Sequence, residues 1–390
     1  MRRAGRRPAA VVLGVILACS VRAEGSTRVV FTVDVESNES FRLPDQIDAV
    51  CQDRSACGLM EIVRLLEARR WSGTFFLNVL EHHQWGEAAL RNLAVRLQAS
   101  GQDVALHTHP QWGYDPARSG MNQYSLEEQT SIVGDAVRLL QGWTGQPVVA
   151  HRTGAYAADE HTLLALDRNG LLVDSSVFWK DPNNRLDGLG LLRNLPAPYG
   201  RLTEIPVTVY ERVDRPRILD ATLGPLTVVR KIDPNWFVNA DEARAAIDAA
   251  VAAELPVLVV FLHSFSLMAE QTAGGVPLAD RHSTDMFRVI LDHVAGKGLP
   301  VVTMRELAHA GAWPRSSADR DVVPRVTVPV GLHRYLWRRL KTSEGLPEGI
   351  AVGIASVLVG AALVLVRRRK AFARGRSGGV LPAQRGVRSR

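Results

Sequence analysis

The chain has 390 residues, 46% of them hydrophobic and 22% charged, with 47 Lys and Arg against 40 Asp and Glu. The net charge of +7 comes from the two ends: residues 1–22 carry five Arg and residues 367–390 carry nine Lys or Arg, with no acid in either. The remainder holds 33 basic and 40 acidic residues, so the basic balance reports topology and gives no support to nucleic-acid binding.

Taken in chain order, Arg2, Arg3, Arg6 and Arg7 precede an apolar run from Ala9 to Cys19, followed by small residues ending in Val21-Arg22-Ala23. This pattern predicts an export signal over residues 1–23 and a mature start near Glu24. An apolar α/β alternation then runs over residues 27–311. Strands are predicted at Val29–Val33, Thr74–Asn78, Val104–Thr108, Val148–His151, Leu171–Asp174 and Val257–His263. Ser125 and Glu128 form a capping box that opens a helix towards Leu140, and Thr303 with Glu306 opens a short one. The pattern and length predict an α/β domain, a barrel of alternating strands and helices, interrupted by a Pro- and Gly-rich insertion over 180–240. Residues 312–348 read as linker and juxtamembrane segment, with Tyr335, Trp337 and the neighbouring Arg residues as an interfacial anchor. Gly349 to Val366 is an uncharged apolar stretch long enough to span a bilayer, and the Arg-rich tail 367–390 directs that end to the cytoplasm. The expected location is the cytoplasmic membrane, single-pass, with the domain on the periplasmic or extracellular side. Cys51 and Cys57, six apart in an exported chain, are candidates for a local disulfide.

Chemistry concentrates where the predicted strands end, the edge at which α/β barrels build their sites. Asp34 and Glu36 are two apart on an extended chain and share a face, which suits one carboxylate to metal binding and the other to base work. His107 and His109 repeat that spacing just before Pro110, a pair suited to a divalent metal. Further along, His151-Arg152-Thr153-Gly154-Ala155-Tyr156 runs from a strand end into a turn. There Arg152 can orient a carboxylate. Asp174 and His263 end two more strands. Trp112, Tyr114, Trp179 and Trp236 are candidates for stacking on sugar rings.

The order of these motifs resembles that of the polysaccharide deacetylases, the family-four carbohydrate esterases with a NodB-like domain, over residues 29–310. The variant here has D-x-E and H-x-H motifs, where the family usually has adjacent aspartates and histidines four apart. The resemblance implies a distorted (β/α) barrel, a divalent metal (zinc as the expected ion), and hydrolysis of an acetyl or formyl group from an amino sugar of an envelope polysaccharide or lipid-linked glycan. It makes Asp34 the base and Glu36, His107 and His109 the metal ligands. Arg152 would orient the base, Asp174 would orient the catalytic His263, and backbone N–H groups near Tyr156 would support the oxyanion. Two other readings compete: a sugar-binding module that has lost catalysis, and a metal-dependent amidohydrolase acting on a non-sugar amide.

Overall fold

In the computed structural model the described residues are 27–186, 188–191, 193–217, 224–235, 238–269, 276–309 and 322–341. The expected signal (1–23), the expected span (349–366), the basic tail and Trp236 lie outside them. Among the described residues no helix is long and apolar enough to cross a membrane.

The β-branched and aromatic runs form the strands they predict. β1 (Arg28–Val35), β2 (Thr74–Asn78), β3 (Asp103–Thr108), β4 (Ala150–Thr153), β5 (Val173–Asp174) and β10 (Val257–His263) pair in parallel. Two further strands, β6 (Ala197–Tyr199) and β7 (Leu202–Glu204), complete one sheet in the order β10-β1-β2-β3-β4-β5-β7-β6. β1 and β2 are buried almost throughout, as expected for parallel strands covered on both faces. Residues 205–208 then run from the β5 side of the sheet to β10. Ile205 N donates to Asp174 O at 2.8 Å and Val207 N to Val177 O at 2.9 Å, while Thr208 Oγ1 accepts from Val259 N of β10 at 2.8 Å. This segment takes the place of a closing strand, and the sheet curls around a common interior.

The floor of that interior is apolar. Val30, Phe76, Ala105, Ala150, Val173, Ile205, Val257 and Val259 pack there against Met304 and Leu307. Met304 and Leu307 come from the helix Met304–Ala308, which Thr303 and Glu306 cap reciprocally. Each fully buried aliphatic side chain there contributes on the order of 1.5–3 kcal/mol. The capping box at Ser125 likewise opens the helix Leu126–Thr144. Cys51 and Cys57 form a buried disulfide with their Cα atoms 6.0 Å apart.

Two expectations are corrected. The region 180–240 is no interruption of the sheet: it supplies β6 and β7, then β8 (Val209–Pro216) and β9 (Leu226–Lys231). β6 and β7 have only three residues each, and Pro and Gly stand among the strands of this region, which hides their period. After a small ribbon of β11 (Met268–Ala269) and β12 (Leu278–Ala279), residues 325–330 of the expected linker form β13 (Arg325–Val330). β13, β8 and β9 make a three-stranded sheet in that order.

The chain divides into two compact units, one of residues up to 212 with 229–326 and the other of 213–228 with 327 onwards. In the second unit the helix Leu332–Lys341 does not offer Tyr335 to a lipid surface. Tyr335 is fully buried and its hydroxyl donates to Gly224 O at 2.9 Å, while Arg338 pairs with the buried Asp214 at 2.5 Å. Internal pairing has claimed both groups.

Candidate active site

Period-two alternation sets which side chains reach the interior. On β1 it selects Val30, Thr32 and Asp34; on β3, Ala105 and His107; on β4, Ala150 and Arg152; on β10, Val259, Phe261 and His263. The registers pair Asp34 with His263 and His107 with Arg152. The upper layer of the interior is therefore polar.

Arg152 is fully buried and crosses this space. Its Nη1 donates to Asp34 Oδ1 at 2.7 Å and to Thr32 Oγ1 at 3.1 Å. Its Nε and Nη2 donate to the carbonyl and hydroxyl of Ser175, both at 3.0 Å. The guanidinium lies 4.4 Å from the Phe76 ring centroid. Breaking a buried pair of this kind costs about 3–5 kcal/mol, so the Asp34 carboxylate is held in one place. The expected partnership of Arg152 with Asp34 is the arrangement found.

Glu36, His107 and His109 come together beside it, with one ligand atom from each lying within 4.8 Å of the others. Glu36 Oε2 is 3.1 Å from His107 Nε2 and 2.5 Å from His109 Nε2. His107 Nδ1 lies 2.8 Å from Arg152 O, so that nitrogen carries the proton and Nε2 presents a lone pair. His109 Nε2 is buried and forms no well-directed hydrogen bond despite its closeness to Glu36. Two lone pairs and a carboxylate oxygen aimed at one point fit a shared cation better than they fit each other. His109 Nδ1 meets the Gln111 amide at 3.3 Å. The oxygen end of that amide would accept Nδ1–H and free Nε2 in the same way. Burial pushes the Glu36 carboxyl up, and the His109 and His107 rings more than reverse it, holding Glu36 well below the usual carboxylate range. His107 is raised: burial lowers it, and Asp34 and Glu36 outweigh that.

The backbone around these ligands is pinned. Gln46 Nε2 and Ser264 Oγ donate to Glu36 O at 3.0 and 3.2 Å, and His109 N donates to Asn78 Oδ1 at 3.3 Å. Gly154 is the closest constraint of all. A Cβ there would sit 2.4 Å from the His109 ring, so the imidazole lies flat on bare backbone. The next two residues, Ala155 and Tyr156, both take left-handed φ values of 50° and 53°, strained for side chains that carry a Cβ and typical of functional turns.

Asp174 does not reach His263. Alternation gives the interior position on that segment to Ser175, and Asp174 faces the other side of the sheet. There its Oδ1 lies 2.8 Å from His151 Nδ1 and accepts from Ser176 Oγ at 2.9 Å, and His151 Nε2 meets Thr108 Oγ1 at 2.9 Å. Glu204 completes this fully buried cluster. Burial and the adjacent Asp174 push its carboxyl well above the usual range. His263 instead stacks on Phe265 at 4.7 Å, meets Phe261 edge-on at 4.8 Å and approaches Glu36 Oε1 at 3.5 Å. Burial, with Lys231 nearby, lowers its pKa to about 4 against the pull of Glu36, so the ring is neutral rather than charged.

Of the aromatic candidates, Trp179 has cations over its ring, Arg193 at 4.0 Å and Lys180 at 4.6 Å. Tyr114 donates to Asp135 at 2.7 Å, and Trp112 lies 6.5 Å from Trp85. Lys231 and Tyr156, by contrast, meet at the edge of the site, where Lys231 Nζ donates to Tyr156 Oη at 3.2 Å.

No family model matches the chain, and no curated protein matches it in sequence at a significant level. Family-four carbohydrate esterases and polysaccharide deacetylases recur among the solved structures similar to it. A proposed polysaccharide deacetylase from Mycobacterium smegmatis is 17% identical, with 81% of this chain and 99% of that one covered and a TM-score of 0.46. A family-four pseudoenzyme from Bacillus anthracis is 14% identical at a TM-score of 0.39; the match covers 73% of this chain and spans 66% of that protein's length. The Puue allantoinase is 12% identical, with 74% and 91% covered and a TM-score of 0.48. With all three TM-scores below 0.5, the residues of the site are read from their own geometry.

Gly154→Ala should displace the His109 ring without touching any charged group. We expect about a 10–100-fold loss of zinc affinity in a folded protein, measured by competition with a chromogenic chelator. Unchanged affinity would show that His109 is not a ligand.

Proposed function

We propose that this chain is a metal-dependent hydrolase that removes an N-acyl group, acetyl or formyl, from an amino sugar of an envelope polysaccharide or lipid-linked glycan. The observation that carries the reading is the convergence of Glu36, His107 and His109 beside the immobilised carboxylate of Asp34. The donor set of two imidazoles and one carboxylate suits zinc and leaves coordination positions open. When bound, such an ion supplies Lewis acidity towards a carbonyl oxygen and a water.

The remaining chemistry belongs to the chain's own residues. Asp34 accepts the proton of the attacking water, and Arg152 keeps it aimed. An amide nitrogen leaves poorly unless protonated. With Asp174 on the opposite face of the sheet, His263 lacks the orienting acid that the resemblance implies, and Asp34 can return to the leaving nitrogen the proton it has taken. His263, Phe261 and Phe265 wall the site on the β10 side. The sharp turn at Ala155 and Tyr156 is where backbone N–H groups would support the developing oxyanion.

The chemistry is tested by metal content and by acetate or formate release from N-acyl amino-sugar oligomers. His107→Ala and His109→Ala should lose bound zinc. Asp34→Asn should retain it and lose turnover by at least about 10²-fold. Equal zinc loss in all three would make Asp34 a ligand, and full turnover by metal-stripped protein would overturn the reading.

We further propose that the hydrolase domain lies outside the cytoplasmic membrane, tethered by residues 349–366, on the strength of the N-terminal signal pattern and the Arg-rich tail. A reporter fused after Lys370 should be active only in a form that works in the cytoplasm. Activity of a periplasm-dependent reporter at that point would reverse the orientation.

A further inference from the structure

Lys231 is the last residue of β9, and its side chain enters the active site from the region that the sequence disguises as an insertion. Its ammonium sits among aromatic rings, 3.5 Å from the centroid of Phe261, 5.1 Å from Tyr156 and 5.3 Å from Phe178. Phe261 in turn meets His263, and His263 meets Glu36, so two rings separate the ammonium from the Glu36 carboxylate.

Lys231 is half-buried, and among the described residues its bonding is less complete than that of the fully buried cations. Arg152 is paired with Asp34, and Arg212 with Glu242. No carboxylate among the described residues lies within ion-pair distance of Lys231, and only one of its three N–H groups has a hydrogen-bond acceptor, Tyr156 Oη. That hydroxyl is itself incomplete. Because Oη accepts from Lys231, the tyrosine proton points away from the ammonium, and among the described residues it has no acceptor. Tyr156 is 7% exposed, and burial, with Asp34 near, pushes its phenol far above the ordinary range, so the proton stays on. A buried donor left without an acceptor costs about 1–3 kcal/mol, more for a charged one. Here a half-buried ammonium, on which Asp233 acts only through space, stands beside a buried hydroxyl, and both keep N–H or O–H groups that an oxygen-rich anionic group could take up.

We propose that Lys231 and Tyr156 form an anion seat of the active site, which takes a carboxylate or phosphoryl group next to the scissile bond. Two sources share that chemistry: the carboxylate released by hydrolysis, and an acidic substituent on the sugar. Assigning either source rests on the hydrolase reading above, whereas the seat itself does not.

The test is therefore binding and not turnover. The as-purified full chain is titrated calorimetrically with sodium acetate, glucuronate and glucose 1-phosphate, with glucose as the neutral control. Lys231→Met, which keeps the apolar stem, should weaken anion binding about 10–100-fold, and Tyr156→Phe by a smaller factor. Neither variant should change the response to glucose. Dependence on Lys231 for acetate alone identifies the seat with the released carboxylate; dependence for the sugar anions identifies it with a substrate substituent. Equal anion affinities in the wild type and Lys231→Met, or no wild-type binding of any anion below about 10 mM, would overturn the proposal. Thermal unfolding followed by circular dichroism checks the fold, and if Lys231→Met fails to fold, the isosteric Tyr156→Phe decides the outcome. Lys231-dependent anion binding by a wild-type chain that shows no hydrolysis would count against the hydrolase reading alone.

Discussion

The architecture turns on the reach of one guanidinium. Arg152 on β4 hydrogen-bonds Asp34 on β1, and those strands are three places apart in the sheet. In a flat sheet three steps of about 4.8 Å would hold the two backbones roughly 14 Å apart with their side chains parallel, beyond a 2.7 Å contact. The contact exists because the sheet curls, and the curl directs the side chains of β1, β3, β4 and β10 towards one axis. The same curl brings Glu36, His107 and His109 together from separate strand ends. A cation buried at the centre also supplies the counter-charge and hydrogen bond that a buried carboxylate at Asp34 requires.

The two faces of the sheet divide the polar residues by role. Towards the axis are the Arg152-paired carboxylate of Asp34, the convergent side chains of Glu36, His107 and His109, and the half-satisfied donors of Lys231 and Tyr156. On the outer face, Thr108, His151, Asp174 and Ser176 bond among themselves, linking β3, β4 and β5, while Glu204 of β7 lies beside Asp174 and accepts from Val177 N. Their bonding is directed inward on the cluster, and they carry the polar load of holding those strands in register. An acid at a strand end thus takes one of two very different functions, depending on a one-residue shift in alternation.

That shift is why the sequence exposed some of the site and hid the rest. β1, β2, β3 and β10 are long apolar runs, so their ends and inward-facing residues, Asp34, His107 and His263, were legible from period two alone. β5 has two residues and no period to read. Asp174 therefore looked equivalent to the other strand-end acids, although Ser175 holds the inward position. β7 and β9 were obscured by the Pro and Gly around them, and Glu204 and Lys231 disappeared with them. Gly154 stood in plain view, but its purpose, to let the His109 ring lie against backbone, is a matter of packing that no spacing reveals. Tyr335 and the arginines around it satisfied a membrane-anchor pattern, and only the buried bond to Gly224 showed that an internal partner had priority.

All of this chemistry depends on Glu36, His107 and His109 being one coordination sphere. X-ray absorption at the zinc edge of the zinc-loaded chain measures that sphere directly, whatever the substrate. The account predicts one zinc per chain with two imidazole nitrogens at about 2.0–2.1 Å and carboxylate and solvent oxygens filling the remainder. A sphere of oxygen alone, or one retaining both imidazoles after His107 and His109 are replaced, would contradict it.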